Sequence, residues 1–248
     1  MYRQISGESD SVSDCDVNDW QSEVLPRLIR NYAPRDIFNA DECGLFFKLM
    51  PDKSYVFKGE KCHGGKLSKE RVTVLVGANS DGSEKLPLLM VGKSARPRCF
   101  KNIKRLPCQY KSQARAWMTG DLFATWLKEL DQKMAKTNRK ILLFVDNCPS
   151  HPKNVNLKNV ELAFLPPNTT SKLQPMDQGV IKVLKHFYRK RVVLRYLQCL
   201  DNGEDNRITL LDAMTFISAA WEGSDGQTIA NCFRRAGFIK VRSLMLLD

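Results

Sequence analysis

Three aspartates occupy positions where an α/β protein presents reactive groups. Asp41 follows a short apolar run at 36–40, Asp146 follows the run at 140–145, and Asp177 opens a long helical pattern. In open α/β sheets, functional sites collect just beyond the carboxyl ends of strands. An aspartate after a strand also caps turns, so each residue alone has a structural explanation. Taken together, the three predict a cluster of carboxylates.

A cluster of carboxylates favours metal-dependent chemistry. Like charges at close range oppose one another's ionisation, and a divalent cation removes that penalty. Mg²⁺ prefers oxygen ligands and keeps several waters, so carboxylates and substrate phosphates suffice to hold it. Two such ions about 3.5–4 Å apart clamp an in-line displacement at phosphorus. Without a Cys–His cluster, Asp41, Asp146 and Asp177 fit two Mg²⁺ or Mn²⁺ ions better than zinc.

Two residues that follow Asp146 are candidates for supporting roles. His151 either steadies a phosphate or the second aspartate, or is a helix-capping or solvated histidine. Asn147 either orients Asp146 through its amide or simply makes the turn. The sequence leaves both alternatives open.

Polar neighbours of the other two aspartates have the same ambiguity. Gln174 and Gln178 flank Asp177 and are candidates to bond a carboxylate or phosphate, or to cap a helix. Glu42 adjoins Asp41, but successive side chains of a strand point to opposite faces. If the strand continues, Glu42 points elsewhere, and it is not counted as a ligand.

The charge of the chain favours a polyanionic partner. Lys and Arg number 39 against 27 Asp and Glu, which gives a net charge of +12 and a pI near 9.4. Nucleic acid is the first candidate, because neutralised phosphates release counterions, and an anionic membrane surface is the second. Basic residues beside Asp177 could follow a DNA backbone, although a charged helix side is also typical of a solvated face. These residues are Lys182, Lys185, Arg189, Lys190, Arg191 and Arg195.

The elements that would position these residues predict an α/β fold with a mixed sheet. Helical periodicity predicts helices at 19–32, 119–134, 178–200, 210–221 and 228–236. Pro26 is expected to kink or split the first helix, and Thr119 is the expected cap of the second. Strands are predicted at 36–40, 140–145 and 160–165, with a hairpin of 71–78 and 85–91 around the turn at 79–82. Thr170 or Ser171 is the expected cap of a first turn before Asp177. Trp117, Trp126 and Trp221 lie in apolar patterns and are predicted to be core residues.

Length and cysteine usage exclude several classes of protein. The 248 residues suit one large domain or a domain with an appendage. The eight cysteines form no C-x-x-C pair, so a zinc ribbon is not expected. The N-terminus has no apolar signal core, which favours reduced thiols in the cytosol or nucleus. No apolar run approaches the roughly 18 residues that span a bilayer, so no membrane association is expected.

Three motifs carry a family resemblance. They are NADECG at 39–44, VDNCPSH at 145–151 and LPPNTTSKLQPMDQG at 165–179, and shorter likenesses occur at 57–61, 97–102 and 229–238. The chain resembles, from about residue 18 to 238, the DDE-superfamily endonuclease domain of pogo/Tigger-type transposases. The jerky proteins and centromere protein B are domesticated relatives of that group.

The resemblance implies an RNase H-like mixed sheet flanked by helices, with a small C-terminal helical extension. Asp41, Asp146 and Asp177 match the family's first, second and third catalytic aspartates. The implied organisation is a disordered edge at 1–17, the endonuclease domain at 18–200 and the extension at 201–248. One departure is Cys43, where the family leads us to expect threonine.

The resemblance also implies nuclear work on DNA, by phosphodiester hydrolysis and strand transfer, and allows a homodimer. The alternative function is a domesticated, non-catalytic nuclear protein in which the fold serves DNA association or scaffolding. A third reading is a nuclease acting on RNA hybrids, since the fold supports that chemistry too. Relatives carry N-terminal helix-turn-helix domains, and residues 1–17 cannot hold one, so we expect the catalytic part alone.

Overall fold

A mixed sheet forms the centre of the molecule. The computed structural model describes residues 14–49, 70–204 and 207–238. In these parts of the chain the strands are β1 (Ile37–Phe46), β2 (Arg71–Asn79), β3 (Leu89–Gly92), β4 (Gln109–Ser112), β5 (Ile141–Val145) and β6 (Val160–Phe164). Their order is β4-β3-β2-β1-β5-β6; β2 is antiparallel to β1 and β3, and the other neighbours are parallel. The predicted α/β class with a mixed sheet is confirmed.

Helices cover both faces of this sheet. They are α1 (Asp14–Asp19), α2 (Leu25–Ile29), α3 (Gly120–Lys136), α4 (Thr170–Leu173), α5 (Ile181–Asp201), α6 (Leu210–Glu222) and α7 (Gly226–Arg235). Two π turns, Trp20–Val24 and Met176–Val180, precede α2 and α5. None of the helices in the described residues combines the length and the apolar character needed to cross a bilayer.

The first strand is longer than the sequence predicts. The prediction ended it at residue 40 and placed Asp41 in a turn, but β1 continues through Asp41 to Phe46. Pairing with β2 sustains it, since Asp41 lies opposite Val76 and Phe46 opposite Arg71. Polar residues interrupt the apolar run while the backbone ladder continues, so a periodicity argument misses the extension.

Two further differences come from backbone pairing and capping. Strand β4 has the polar sequence QYKS and was not predicted, because its parallel pairing with β3 at the sheet edge needs no apolar alternation. The predicted cap by Thr170 or Ser171 is wrong, since both residues lie inside α4. Thr169 is the N-cap, and its hydroxyl donates to the Pro166 carbonyl at 2.7 Å instead of capping the helix.

The N-terminal helix confirms the expected irregularity at Pro26. Proline lacks an N–H, and it lies in the first turn of α2, directly after the π turn that absorbs the break. Residues 14–17, which the sequence prediction included in the edge at 1–17, begin α1, and Val17 is buried. Residues 1–13 lie outside the described part of the chain.

The C-terminal helices share the core of the sheet. Phe233 on α7 is fully buried in the cluster that also contains Phe144 of β5. Phe238 meets Phe144 edge to face at 4.8 Å, and Trp20 meets the same ring at 6.2 Å. The helices of the predicted extension at 201–248 therefore pack as part of one hydrophobic core.

The tryptophan predictions are confirmed in two cases of three. Trp126 and Trp221 are buried, at 6% and 5% exposure. Trp117 is 56% exposed, so its assignment to the core is wrong. The Arg71 guanidinium lies 4.2 Å from the centre of the Trp117 ring, and this cation–π contact accounts for an aromatic residue at the surface.

We expect Phe233→Ala to lower the free energy of unfolding by about 3–5 kcal/mol, because it opens a cavity in the shared core. Urea denaturation followed by circular dichroism should show a single transition at a lower midpoint. Phe46→Ala is the control, since Phe46 is 41% exposed and should change stability little. Two separate transitions, with the sheet unaffected, would instead mean that the C-terminal helices form their own unit.

Candidate active site

One buried side chain connects the three elements that carry the aspartates. Asn39 on β1 is fully buried. Its Nδ2 donates to the Phe144 carbonyl on β5 at 2.9 Å, and its Oδ1 accepts from the Met176 N–H at 2.9 Å. Asp146 follows β5 and Asp177 follows Met176, so Asn39 sets the relative positions of all three aspartates. Sequence reasoning missed this role, and the only available signal was the position of Asn39 two residues before Asp41.

Asp41 lies at the centre of an acidic cluster. It is 8% exposed, and its Oδ1 accepts from the Glu42 N–H at 2.7 Å. Burial raises the pKa of Asp41 well above its usual value, and the negative charges of Asp177, Glu42 and Asp146 raise it further, against a hydrogen bond from Gln174 that lowers it. The predicted aspartates therefore lie close enough for each of the other two to oppose the ionisation of Asp41.

Asp146 has a different environment, because it is held by a histidine. Its Oδ1 lies 2.7 Å from His151 Nδ1, and Glu42 Oε1 lies 3.1 Å from His151 Nε2. Burial lowers the pKa of His151, but hydrogen bonds to Asp146 and Glu42 outweigh it and raise the pKa to about 10. Of the two alternatives for His151, the structure favours contact with the second aspartate over a solvated or capping role.

The third aspartate lies on an irregular turn. Asp177 is exposed within the π turn Met176–Val180. Gly179 has φ 145°, a backbone conformation that disfavours side chains, and it redirects the chain into α5. Gln178 Nε2 donates to the Ser171 carbonyl at 2.8 Å, so Gln178 ties this turn to α4.

A cleft opens beside the acidic cluster. It has a volume of about 380 Å³ and lies between the loop after β5 and the loop after β6. Asp146, Asn147 and Cys148 form one side, with Pro166, Pro167, Asn168, Thr170 and Ser171 on the other. Asn147 thus faces a space next to the second aspartate.

The donor set fits a hard divalent cation. Gln174 is 1% exposed, and its amide group donates a hydrogen bond to Asp41. The Oε1 atom of the same amide has no hydrogen-bond partner among the described residues. Carboxylate and amide oxygens are the ligands that Mg²⁺ and Mn²⁺ prefer. Within the described ranges, no three His, Cys, Asp or Glu side chains form a ready-made ligand set around one point.

The six basic residues of α5 do not form a single face. Arg191 Nη2 donates to the Ala219 carbonyl at 2.9 Å and so joins α5 to α6. Arg189 Nη1 donates to the Leu49 carbonyl at 3.2 Å, and Arg195 lies 3.9 Å from Glu204. Lys182 and Lys190 are exposed, and the charge of Lys185 acts on buried Cys43 beside Asp41. The predicted stripe is therefore divided between packing contacts and open surface.

Replacing Asn39 should disturb the aspartates more than it disturbs the fold. We expect Asn39→Ala to cost about 1–3 kcal/mol of stability, because it leaves the Phe144 carbonyl and the Met176 N–H buried without a partner. Asn79→Ala is a matched control: Asn79 is also fully buried and bonds Arg35, Ser83 and Glu84. Calorimetric titration with Mn²⁺ should show weaker binding for Asn39→Ala only. Equal loss of binding in both variants would contradict this role.

The charged state of His151 should make stability depend on pH. A pKa raised from 6.5 to about 10 stabilises the fold fully below pH 6.5, and this contribution is lost as pH rises toward 10. Compared with His151→Gln, the metal-free parent should be more stable at pH 6.5, by an amount on the order of 3 kcal/mol, and this margin should shrink by pH 10. Thermal unfolding of both proteins across this range provides the measurement. A margin that stays constant with pH would mean that His151 is neutral.

Comparisons with known proteins match this fold and these motifs. Residues 69–233 match the DDE superfamily endonuclease family. Mouse Tigger transposable element-derived protein 4 is 40% identical over 238 residues, which is 96% of this chain and 46% of that protein. Human major centromere autoantigen B is 34% identical (88% of this chain, 36% of that protein), and human Jerky protein homolog is 31% identical (82% and 37%). The chain spans less than half the length of these relatives.

Solved structures share the fold at low sequence identity. The Mos1 strand transfer complex has a TM-score of 0.57 at 12% identity, covering 96% of this chain and 63% of that chain. The Mos1 transposase catalytic domain with raltegravir and Mn has a TM-score of 0.52 at 12% identity, covering 92% of both. The predicted RNase H-like fold and the predicted family are confirmed. The chain belongs to the DDE superfamily endonuclease family.

Proposed function

We propose that this chain is the catalytic domain of a transposase, which hydrolyses DNA phosphodiesters and transfers DNA strands with two bound Mg²⁺ or Mn²⁺ ions. The observation that carries the proposal is geometric: Asp41 is 8% exposed, and it lies close enough to Asp146 and Asp177 for their charges to oppose its ionisation. A protein gains nothing in stability from carboxylates that oppose one another's ionisation. A group of carboxylates close together at the edge of a sheet is typical of a site that binds cations.

Each predicted site residue has a role in this proposal. Asp41, Asp146 and Asp177 hold the cations through carboxylate oxygens, and Gln174 hydrogen-bonds to Asp41. Two such ions would supply activation of the attacking water or 3′-hydroxyl and stabilisation of the leaving oxygen. His151 holds Asp146, Asn147 faces the neighbouring cleft, and Gln178 fixes the turn that carries Asp177.

The basic surface supports DNA as the partner. The net charge of +12 favours a polyanion, and phosphate contacts position a duplex without reading its sequence. Lys182 and Lys190 are exposed on α5, and Lys185 lies near the acidic cluster. We propose that these three lysines contact the DNA backbone, while Arg189, Arg191 and Arg195 contribute less because they already contact α6 or the neighbouring chain segments.

The names of similar proteins support the same function. One solved relative is described as a strand transfer complex, and another as a transposase catalytic domain with Mn. The curated relatives are named for a transposable element and for the centromere, and on that basis we propose nuclear action for this chain.

A second function that we propose is a DNA-associated scaffold without catalysis, assembled as a homodimer. It is favoured by similarity to a centromere autoantigen and by the ion pair between His151 and Asp146, which balances one carboxylate of the cluster within the fold. Metal binding discriminates between the two. Calorimetric titration with Mg²⁺ or Mn²⁺ should detect binding that an Asp41→Ala/Asp146→Ala variant lacks, whereas a scaffold would give no difference.

We expect Asp146→Asn to lower Mn²⁺-dependent nicking of supercoiled DNA by about a thousandfold, because removing a ligand costs several kcal/mol of transition-state stabilisation. Asp131→Asn is the matched control, since the Asp131 carboxylate accepts N–H bonds from Lys158, Asn159 and Val160 and lies on α3. The control should nick normally once corrected for folded protein.

Two outcomes would contradict the proposed function. If Asp146→Asn nicks DNA as fast as the parent, then the assignment of the second aspartate is wrong. If RNA–DNA hybrid is cleaved and duplex DNA is not, then the chain is a hybrid nuclease. Both substrates should therefore be tested with the same protein preparation.

A further inference from the structure

We propose that Glu42 is a positioning residue for Asp146 and acts on it through the ring of His151. This inference rests on the proposed function, since it assigns a purpose to Asp146. Glu42 was not counted as a site residue from the sequence, because it points to the opposite face of β1 from Asp41. That direction is confirmed, and it places Glu42 against His151.

A continuous chain of contacts joins the two carboxylates. Glu42 Oε1 and Oε2 lie 3.1 and 3.2 Å from His151 Nε2. On the other side of the ring, Nδ1 lies 2.7 Å from Asp146 Oδ1 and 3.1 Å from the Asp146 carbonyl. Nδ1 faces a carbonyl oxygen and Nε2 faces a carboxylate, and because both groups accept, both ring nitrogens donate. The contact of Nδ1 with Asp146 Oδ1 is an ion pair, since Oδ1 has no hydrogen-bond partner among the described residues. The ring therefore bridges the middle of β1 and the residue that follows β5.

The ring cannot easily turn away from this position. The His151 side chain is 1% exposed and stacks on Phe123 of α3, with ring centres 4.0 Å apart. The His151 N–H donates to the Cys148 carbonyl at 2.9 Å, which closes the turn that delivers the ring. Glu42 is anchored in turn because it lies within the paired part of β1, opposite Leu75.

Asp146 needs such support because it lies beyond its strand. Strand β5 ends at Val145, and the Asp146 side chain is 25% exposed beside the cleft. A side chain in that position is free to change rotamer unless a partner holds it. Contact through Oδ1 fixes the carboxylate and leaves Oδ2 for the reaction. Partners that orient a ligand in this way typically contribute 10–100-fold to metal affinity or activity.

The alternative explanation is that Glu42 and His151 form a buried ion pair that only stabilises the fold. Glu84→Ala measures how much stability is lost when a carboxylate is removed from another ion pair of the chain. Glu84 Oε2 pairs with Arg139 Nη1 at 2.5 Å. Arg139 precedes β5 and Asp146 follows it, so this ion pair lies at the opposite end of the strand from Asp146. Glu84→Ala is the same chemical change as Glu42→Ala, and it also removes a carboxylate from a partly buried cation.

A double-mutant cycle tests the path from Glu42 to Asp146. The variants are Glu42→Ala, His151→Phe and their combination. His151→Phe keeps an aromatic ring on Phe123 but removes both ring N–H groups. We expect each single variant to lower kcat for Mn²⁺-dependent nicking about 10–100-fold with KM unchanged. The double variant should be no slower than His151→Phe, because the path from Glu42 to Asp146 runs through the ring. Independent, multiplicative losses would overturn the proposal.

Conservative rescue and the matched control supply the second test. Glu42→Gln keeps a hydrogen-bond acceptor and should recover most of the rate that Glu42→Ala loses. Glu84→Ala should lower the melting temperature yet keep the parent rate and Mn²⁺ affinity. The proposal is wrong if Glu42→Gln is as slow as Glu42→Ala, or if Glu42→Ala behaves like Glu84→Ala.

A readout on the metal-free chain separates this proposal from the proposed function. The chain has three histidines, so ¹⁵N labelling gives a simple ring spectrum. His151 should show two slowly exchanging ring N–H signals in the parent, and the Nε2–H signal should disappear in Glu42→Ala. If the parent never nicks DNA, the proposed function fails, while these signals and the Mn²⁺ affinities still decide the role of Glu42. Fast exchange of both signals in the parent would overturn it.

Discussion

The two hydrogen bonds of the Asn39 side chain are the constraint on which the candidate site depends. A buried amide must find partners for both its donor and its acceptor, and Asn39 finds them on β5 and on the turn before α5. Those two partners lie next to Asp146 and Asp177. Satisfying one polar group therefore places three elements, and the aspartates follow from that placement because each is within two residues of a bonded position.

Bringing carboxylates together is unfavourable, and the structure offsets it differently for each. Asp41 is buried, so repulsion and desolvation raise its pKa, while the Gln174 amide bonds to it. Asp146 is balanced by His151, whose pKa rises to about 10 between two carboxylates. Asp177 is exposed, and water screens its charge. The remaining repulsion within the cluster is the part that a divalent cation would relieve.

Both faces of β1 contribute to this arrangement. Asp41 lies on the face that packs toward α5 and α7, together with Cys43 and Leu45. Glu42 lies on the other face, which Phe38 and Ala40 share with α3, and there it meets His151. The Asp41–Glu42 pair thus supplies one carboxylate to the cluster and one to the residue that holds Asp146. Because successive side chains of β1 point to opposite faces of the sheet, this one strand connects the acidic cluster on one face with His151 on the other.

The sequence by itself determined the fold class, the order of the elements other than β4 and the positions of the three aspartates. Apolar periodicity marks α3, an unbroken apolar run marks β5 and a short apolar segment marks β6. The motifs around Asp146 and Asp177 are local in the chain. Tertiary structure decided the extent of β1, the existence of β4, the exposure of Trp117 and the roles of Asn39 and Glu42. These features depend on contacts between residues far apart in sequence, such as Asn39 with Met176 and Glu42 with His151. Local propensity carries no information about such partners, because the hydrogen bonds exist only once the sheet and its loops have packed.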